Sequence, residues 1–147
     1  MVDVNKISKV VKKIKRKYNI NNPLELAKKL NFIVIFEDLG EMAGYYKICL
    51  KKTYIVLNEN LEEAALKLTA LHEIGHALLH KSEMTRFMSS NFIPKNSLYE
   101  LEADLFMLLY VGEEFYIENI ENIGITKRRF EQLINIISDY RKGVFNG

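Results

Sequence analysis

His72-Glu73-Ile74-Gly75-His76 lies inside a run, Leu61 to Lys81, whose other positions are largely apolar at helical spacing, so the fold must hold two imidazoles and a carboxylate on one turn of a core-facing helix. Residues four apart stand one above the other, and His72 and His76 share their stripe with Ala65, Leu68 and Leu79. Unpaired imidazoles on such a stripe are costly. Both can reach one zinc ion at about 2.0–2.1 Å, and Glu73, projecting beside them, can accept a proton from water and return it to a leaving amine. All three histidines, His72, His76 and His80, fall within nine residues, which a chance match to H-E-x-x-H does not explain.

A catalytic zinc takes three protein ligands and leaves one position for water. His80 stands about 12 Å along the helix from His72, at 1.5 Å per residue, too far to share the ion. It is expected at the surface or in a supporting role near Glu73. The next helix, opened by Ser97 and running to about Val111, offers Glu100 and Asp104 four apart on one face. One carboxylate suits the metal, the other an imidazole N–H. Glu102 is expected to point roughly the opposite way. Ser97 and Glu100 also have capping-box spacing, so Glu100 could serve only the backbone N–H of Ser97. The apolar run Leu105 to Val111 predicts a buried helix, however, where a divalent ion compensates a carboxylate far better than one N–H.

The remaining chain reads as helix, sheet and helix. Asp3 caps a helix to Lys17 with Ile7, Val10, Val11 and Ile14 on one face, and Asn22-Pro23 opens a short helix over Leu24–Leu30. Phe32–Phe36, Tyr45–Leu50 and Thr53–Asn58 are β-rich, the last two expected to form a hairpin about Lys51-Lys52. Met84–Asn96 reads as a loop, and Thr126–Arg141 as an amphipathic helix with Phe130, Leu133, Ile134 and Ile137 inward. Gly75 in mid-helix costs about 1 kcal/mol relative to Ala and implies close approach by a neighbouring element.

With 147 residues, 48% apolar, the chain has the core of one ordinary soluble domain, which excludes a disordered tail. Net charge is only +2, but seven Lys/Arg and no acid lie between Lys6 and Lys17, and seven carboxylates and no base between Asn96 and Thr126. These read as solvated faces. Cys49 alone makes no internal disulfide and, with no apolar signal-peptide run before Lys17, the cytoplasm is expected. The longest apolar run, seven residues, is far below the roughly 20 that span a bilayer. A buried, inert Cys49 is expected, and Tyr45, Tyr46 and Tyr54 read as strand packing before oxyanion donors. Lys127, Arg128 and Arg129 could meet phosphates in a helix-turn-helix, but the acidic Glu113–Asn119 before them favours packing.

The run Leu68 to His80, followed by Glu100-Leu-Glu-Ala-Asp-Leu-Phe106, resembles the ImmA/IrrE zinc metallopeptidases, as do Asn22–Leu30, Gly44-Tyr45-Tyr46 and Ile55–Asn58 upstream. The resemblance covers Asn22 to Leu109. It implies a gluzincin-like fold, His72, His76 and Glu100 on one zinc per chain, Glu73 catalytic, and a helix-turn-helix repressor of a phage or integrative element as substrate. The chain departs from the family after the second motif, reading Leu108-Leu-Tyr-Val-Gly112.

Together these predict a single α+β domain over 1–147, with a core over about 22–112, a helical extension over 113–147, a small three-stranded sheet and about five helices. The expected function is a zinc-dependent endopeptidase with Asp104 and His80 supporting the ligands, no membrane partner and no direct nucleic-acid binding. The alternative is a non-catalytic zinc-fold module that sequesters a repressor or contacts DNA. Substrate is expected to add as an extended strand along Thr53–Asn58, taken as the sheet edge nearest the central helix.

Overall fold

The structure, a computed structural model, describes residues 2–80, 97–119 and 125–146. The expected loop over Met84–Asn96 lies outside them. Helix α1 (Val4–Tyr18) starts where the Asp3 carboxylate accepts the Lys6 N–H at 3.0 Å, and it buries Ile7, Val11 and Ile14. Its seven cations are all exposed, as a solvated face requires. Helix α2 (Pro23–Lys29) follows, its Leu24 N–H accepted by the Asn22 side chain.

Strands β1 (Ile33–Glu37), β2 (Gly44–Cys49) and β3 (Lys52–Asn58) form one sheet in the order β1-β3-β2, with β3 parallel to β1 and antiparallel to β2. The central place of β3 overturns the expectation that it is the substrate-binding edge: both its backbone edges are already paired. A fully buried Ile55-Val56-Leu57 is what a strand between two neighbours predicts. The hairpin turn also sits one residue earlier than expected. Cys49 pairs with Lys52, and Leu50 and Lys51 take φ of 51° and 63°, the positive pair that a two-residue I′ loop needs. Burial fixes this register, because sliding β2 by one residue would turn buried Tyr46 away from the core.

Helices α3 (Glu63–Leu79), α4 (Leu98–Val111), α5 (Glu113–Asn119) and α6 (Lys127–Asn146) complete the described architecture, an α+β fold. The helix beyond the five expected is α5, whose fully buried Tyr116 stacks on Phe130 of α6. Every residue from Ala103 to Leu108 is buried, so α4 is a core helix, as its apolar run implies. α3 packs between the sheet and α4. At Gly44 of β2 an added Cβ would stand 2.9 Å from Thr69 Cγ2 on α3, and at Gly75 of α3 it would stand 2.9 Å from the Phe106 ring on α4. The Tyr110 hydroxyl ties α4 to the segment after α1 by donating to the Ile20 carbonyl. Among the described residues no helix is long and apolar enough to cross a membrane.

Gly75 is therefore a contact point whose opening would part the two helices that carry the polar cluster. Gly75→Ala should gain about 1 kcal/mol of helix propensity but lose about 1–3 kcal/mol to overpacking, since fully buried Phe106 has no room to yield. A net loss of stability in urea denaturation is the expected result, and a more stable variant would contradict it.

Candidate metal centre

One turn of α3 and one turn of α4 face each other here. His72 Nε2 and His76 Nε2 are 3.2 Å apart, and Glu100 reaches both, with Oε1 2.6 Å from His76 Nε2 and Oε2 3.2 Å from His72 Nε2. These three side chains offer ligand atoms all within 4.8 Å of one another. Bonds of 2.0–2.1 Å to a tetrahedral ion put neighbouring donors about 3.3 Å apart. Two of the three separations are already close to that, and the third, between His76 and Glu100, must open from hydrogen-bond length. Two imidazoles and one carboxylate are also the donor chemistry that suits zinc, so the residues present fit a zinc ion.

Glu100 thus does not close the capping box. The Ser97 hydroxyl accepts the Glu100 N–H at 3.2 Å, so Ser97 caps α4, while the Glu100 carboxylate turns to the histidines. Asp104, one turn on, places Oδ1 2.9 Å from His72 Nδ1, as the four-residue spacing predicts, and its Oδ2 lies 3.3 Å from Arg129 Nε. His76 leans on His80, the two Nδ1 atoms 3.1 Å apart, and His80 Nε2 lies 3.2 Å from Glu102 Oε1. His80 is 3% exposed, which excludes the surface role, and its Nδ1 faces that of His76. Glu102 does not point away from the site. His80 stands four residues from His76, the spacing that puts both rings on one face of α3, and the packing of α4 on α3 brings Glu102 to it.

Burial opposes charge throughout this cluster, and the neighbours decide who carries it. At His72, burial is outweighed by the hydrogen bonds to Asp104 and Glu100, which hold the imidazole well above its usual pKa. At His76 burial prevails and lowers the pKa to about 4, so this ring is neutral at neutral pH. Burial would raise Glu100, but its hydrogen bonds to His72 and His76 win and keep it well below the usual carboxylate range. Glu73 has no such compensation: burial, with Glu100 and Asp104 nearby and only His72 opposing, pushes it up to about 7. A carboxylate poised near neutrality beside a metal-type donor set is what a general base requires.

Tyr46 of β2, buried, stacks on the His76 ring at 5.6 Å and 17°, so this tyrosine walls the site, whereas Tyr45 and Tyr54 are half-buried. Cys49 is exposed at the hairpin end of β2, correcting the expectation of a buried thiol. Arg129 turns inward to Asp104 while Lys127 and Arg128 face solvent. Glu102 and Arg129 are the site residues that sequence reasoning missed, and a charged residue two positions from Glu100 was the only local signal for the first.

Comparison with known proteins adds two findings. The family described as Peptidase_M78, IrrE N-terminal-like domain, matches residues 27–136. The chain is also 34% identical over 121 residues to "Uncharacterized immunity region protein 2" of Bacillus phage phi105, an alignment covering 82% of this chain and 77% of that protein. No solved structure matches.

Proposed function

Because the chain belongs to the ImmA/IrrE family of peptidase-type domains, we propose that it is a zinc-dependent endopeptidase in which His72, His76 and Glu100 hold the ion and Glu73 is the catalytic base. The carrying observation is the convergence of two Nε2 atoms and one carboxylate, all within 4.8 Å, beside a buried carboxylate near neutrality. Bound there, zinc supplies Lewis acidity to a peptide carbonyl and to water. Glu73 takes the water proton on its carboxylate as the oxygen attacks, then passes it to the departing amine nitrogen. Asp104 accepts from His72 Nδ1–H, and His80 accepts from His76 Nδ1–H while donating through Nε2 to Glu102; each acceptor fixes the tautomer that leaves Nε2 free to bind. Burial of Glu73, His76 and Asp104 excludes bulk water from the reacting groups.

An extended peptide needs an unpaired strand edge, and among the described residues the outer edge of β2, whose Tyr46 lies on His76, is the one beside the site. The phage immunity-region relative supports a regulatory protein as substrate, and a helix-turn-helix repressor encoded beside this protein is the reading we favour. In the cytoplasm such a repressor would meet the enzyme without a membrane step. Incubating zinc-loaded protein with that repressor and weighing the products by mass spectrometry should give one defined fragment pair that a chelator abolishes. Tight binding with the repressor left intact would instead support the non-catalytic module that sequesters it.

A further inference from the structure

The first turn of α6 carries Lys127, Arg128 and Arg129, a placement the positive end of the helix dipole disfavours. Lys127 and Arg128 are exposed to water. Arg129 is not: its side chain is 17% exposed and its Nε lies 3.3 Å from Asp104 Oδ2. The other oxygen of the same carboxylate lies 2.9 Å from His72 Nδ1. One carboxylate therefore joins a guanidinium of α6 to a donor imidazole of α3.

Arg129 is itself held from several sides. Its N–H is accepted by the Thr126 hydroxyl at 3.1 Å, its Nη1 donates to Gln132 Oε1 at 3.2 Å, and the adjacent Phe130 stacks on buried Tyr116 at 5.8 Å. Leu133 and Ile137 anchor the same helix in the core. A carboxylate gripped on one oxygen only can rotate about its terminal torsion, a broad one for aspartate. Gripped on both, Asp104 presents Oδ1 to His72 Nδ1 in one orientation.

We propose that Arg129 is a positioning residue of the metal centre: it locks Asp104 so that His72 directs Nε2 toward the ion, which makes α6 a working part of the site. This rests on the metal-binding reading above. It also accounts for a basic residue at an unfavourable helix position, which phosphate binding by an inward side chain does not.

The test uses the full chain and reads metal binding, without any substrate. Zinc affinity by competition with a chromophoric chelator, the visible d–d spectrum of the Co²⁺ form, and thermal melting are measured for wild type, Arg129→Gln, Arg129→Lys and Leu133→Ala. Arg129→Gln should weaken zinc binding by several-fold, up to about tenfold, the low end of the scale for a lost outer partner because it acts through Asp104, and shift the cobalt bands, with Arg129→Lys intermediate. Leu133→Ala should lower the melting temperature while leaving affinity and spectrum near wild type, because it loosens α6 without touching Asp104. Wild-type affinity and spectrum in folded Arg129→Gln would overturn the proposal, as would equal weakening in Leu133→Ala, which would assign the effect to helix docking. Should Arg129→Gln not fold, Arg129→Lys decides on the same two readouts. A wild-type chain that binds no zinc would instead sink the metal reading, and this inference with it.

Discussion

Glu73→Gln should retain zinc and fold but lose hydrolysis by about two to four orders of magnitude, the range that general-base catalysis supplies. The substitution keeps the size of the side chain and removes only its basicity, and Glu73 is not among the three donors that converge on the ion position. Its environment gives the expectation a pH signature. Burial pushes Glu73 up to about 7, so the group is half protonated at neutral pH with no ion nearby. A divalent cation beside it favours the charged form and moves that pKa down. Since only the carboxylate accepts a proton, kcat/KM should rise with pH along an acidic limb whose midpoint lies below 7, and this limb should be absent from the residual rate of Glu73→Gln. Elemental analysis must show zinc in the variant. Cleavage of the repressor at the wild-type rate by a zinc-loaded Glu73→Gln protein would refute the role.

What the sequence discloses about this site is what a single helix turn fixes. His72 to His76 and Glu100 to Asp104 are both spacings of four, so each pair's shared face follows from 3.6 residues per turn before any tertiary contact is known. The buried stripes of α3 and α4 follow from the same periodicity, and Gly75 signals their close approach because a helix interior otherwise disfavours glycine. The contacts that escape such reading are those set between elements. His80 shares a face with His76 by the same spacing of four, but only the packing of α3 on α4 brings Glu102 to it. Arg129 meets Asp104 from another helix, 25 positions on, a pairing no local spacing encodes. Strand order is lost for the same reason: the β2–β3 hairpin is local, but the parallel pairing of β1 with β3 follows a longer connection, and it is this pairing that takes β3 from the edge to the centre.

If the proposed centre holds, Glu100→Ala should weaken zinc binding by more than the roughly 10–100-fold that loss of an outer partner costs, because it removes one of the three proposed donors. The structure ranks its neighbours beneath it. Glu102→Ala deletes the acceptor behind His80, three contacts from the ion position, and should cost about tenfold at most. Ser97→Ala deletes the cap of α4 and should cost only about 0.5–2 kcal/mol of stability, with zinc affinity near wild type. Charge explains why Glu100 stands apart. Its carboxylate lies against both imidazoles and stays ionised despite burial, so, once an ion displaces any Nε2–H, it brings a negative charge to the point where His76 and His72 bring lone pairs. Alanine there leaves two neutral imidazoles and no charged donor directly on the dication. Titration of zinc into the three purified variants, with circular dichroism confirming the fold of each, gives the order directly. A Glu102→Ala protein that loses zinc while Glu100→Ala keeps it would move the third donor to Glu102 and overturn the arrangement of α4 against α3 on which the site is built.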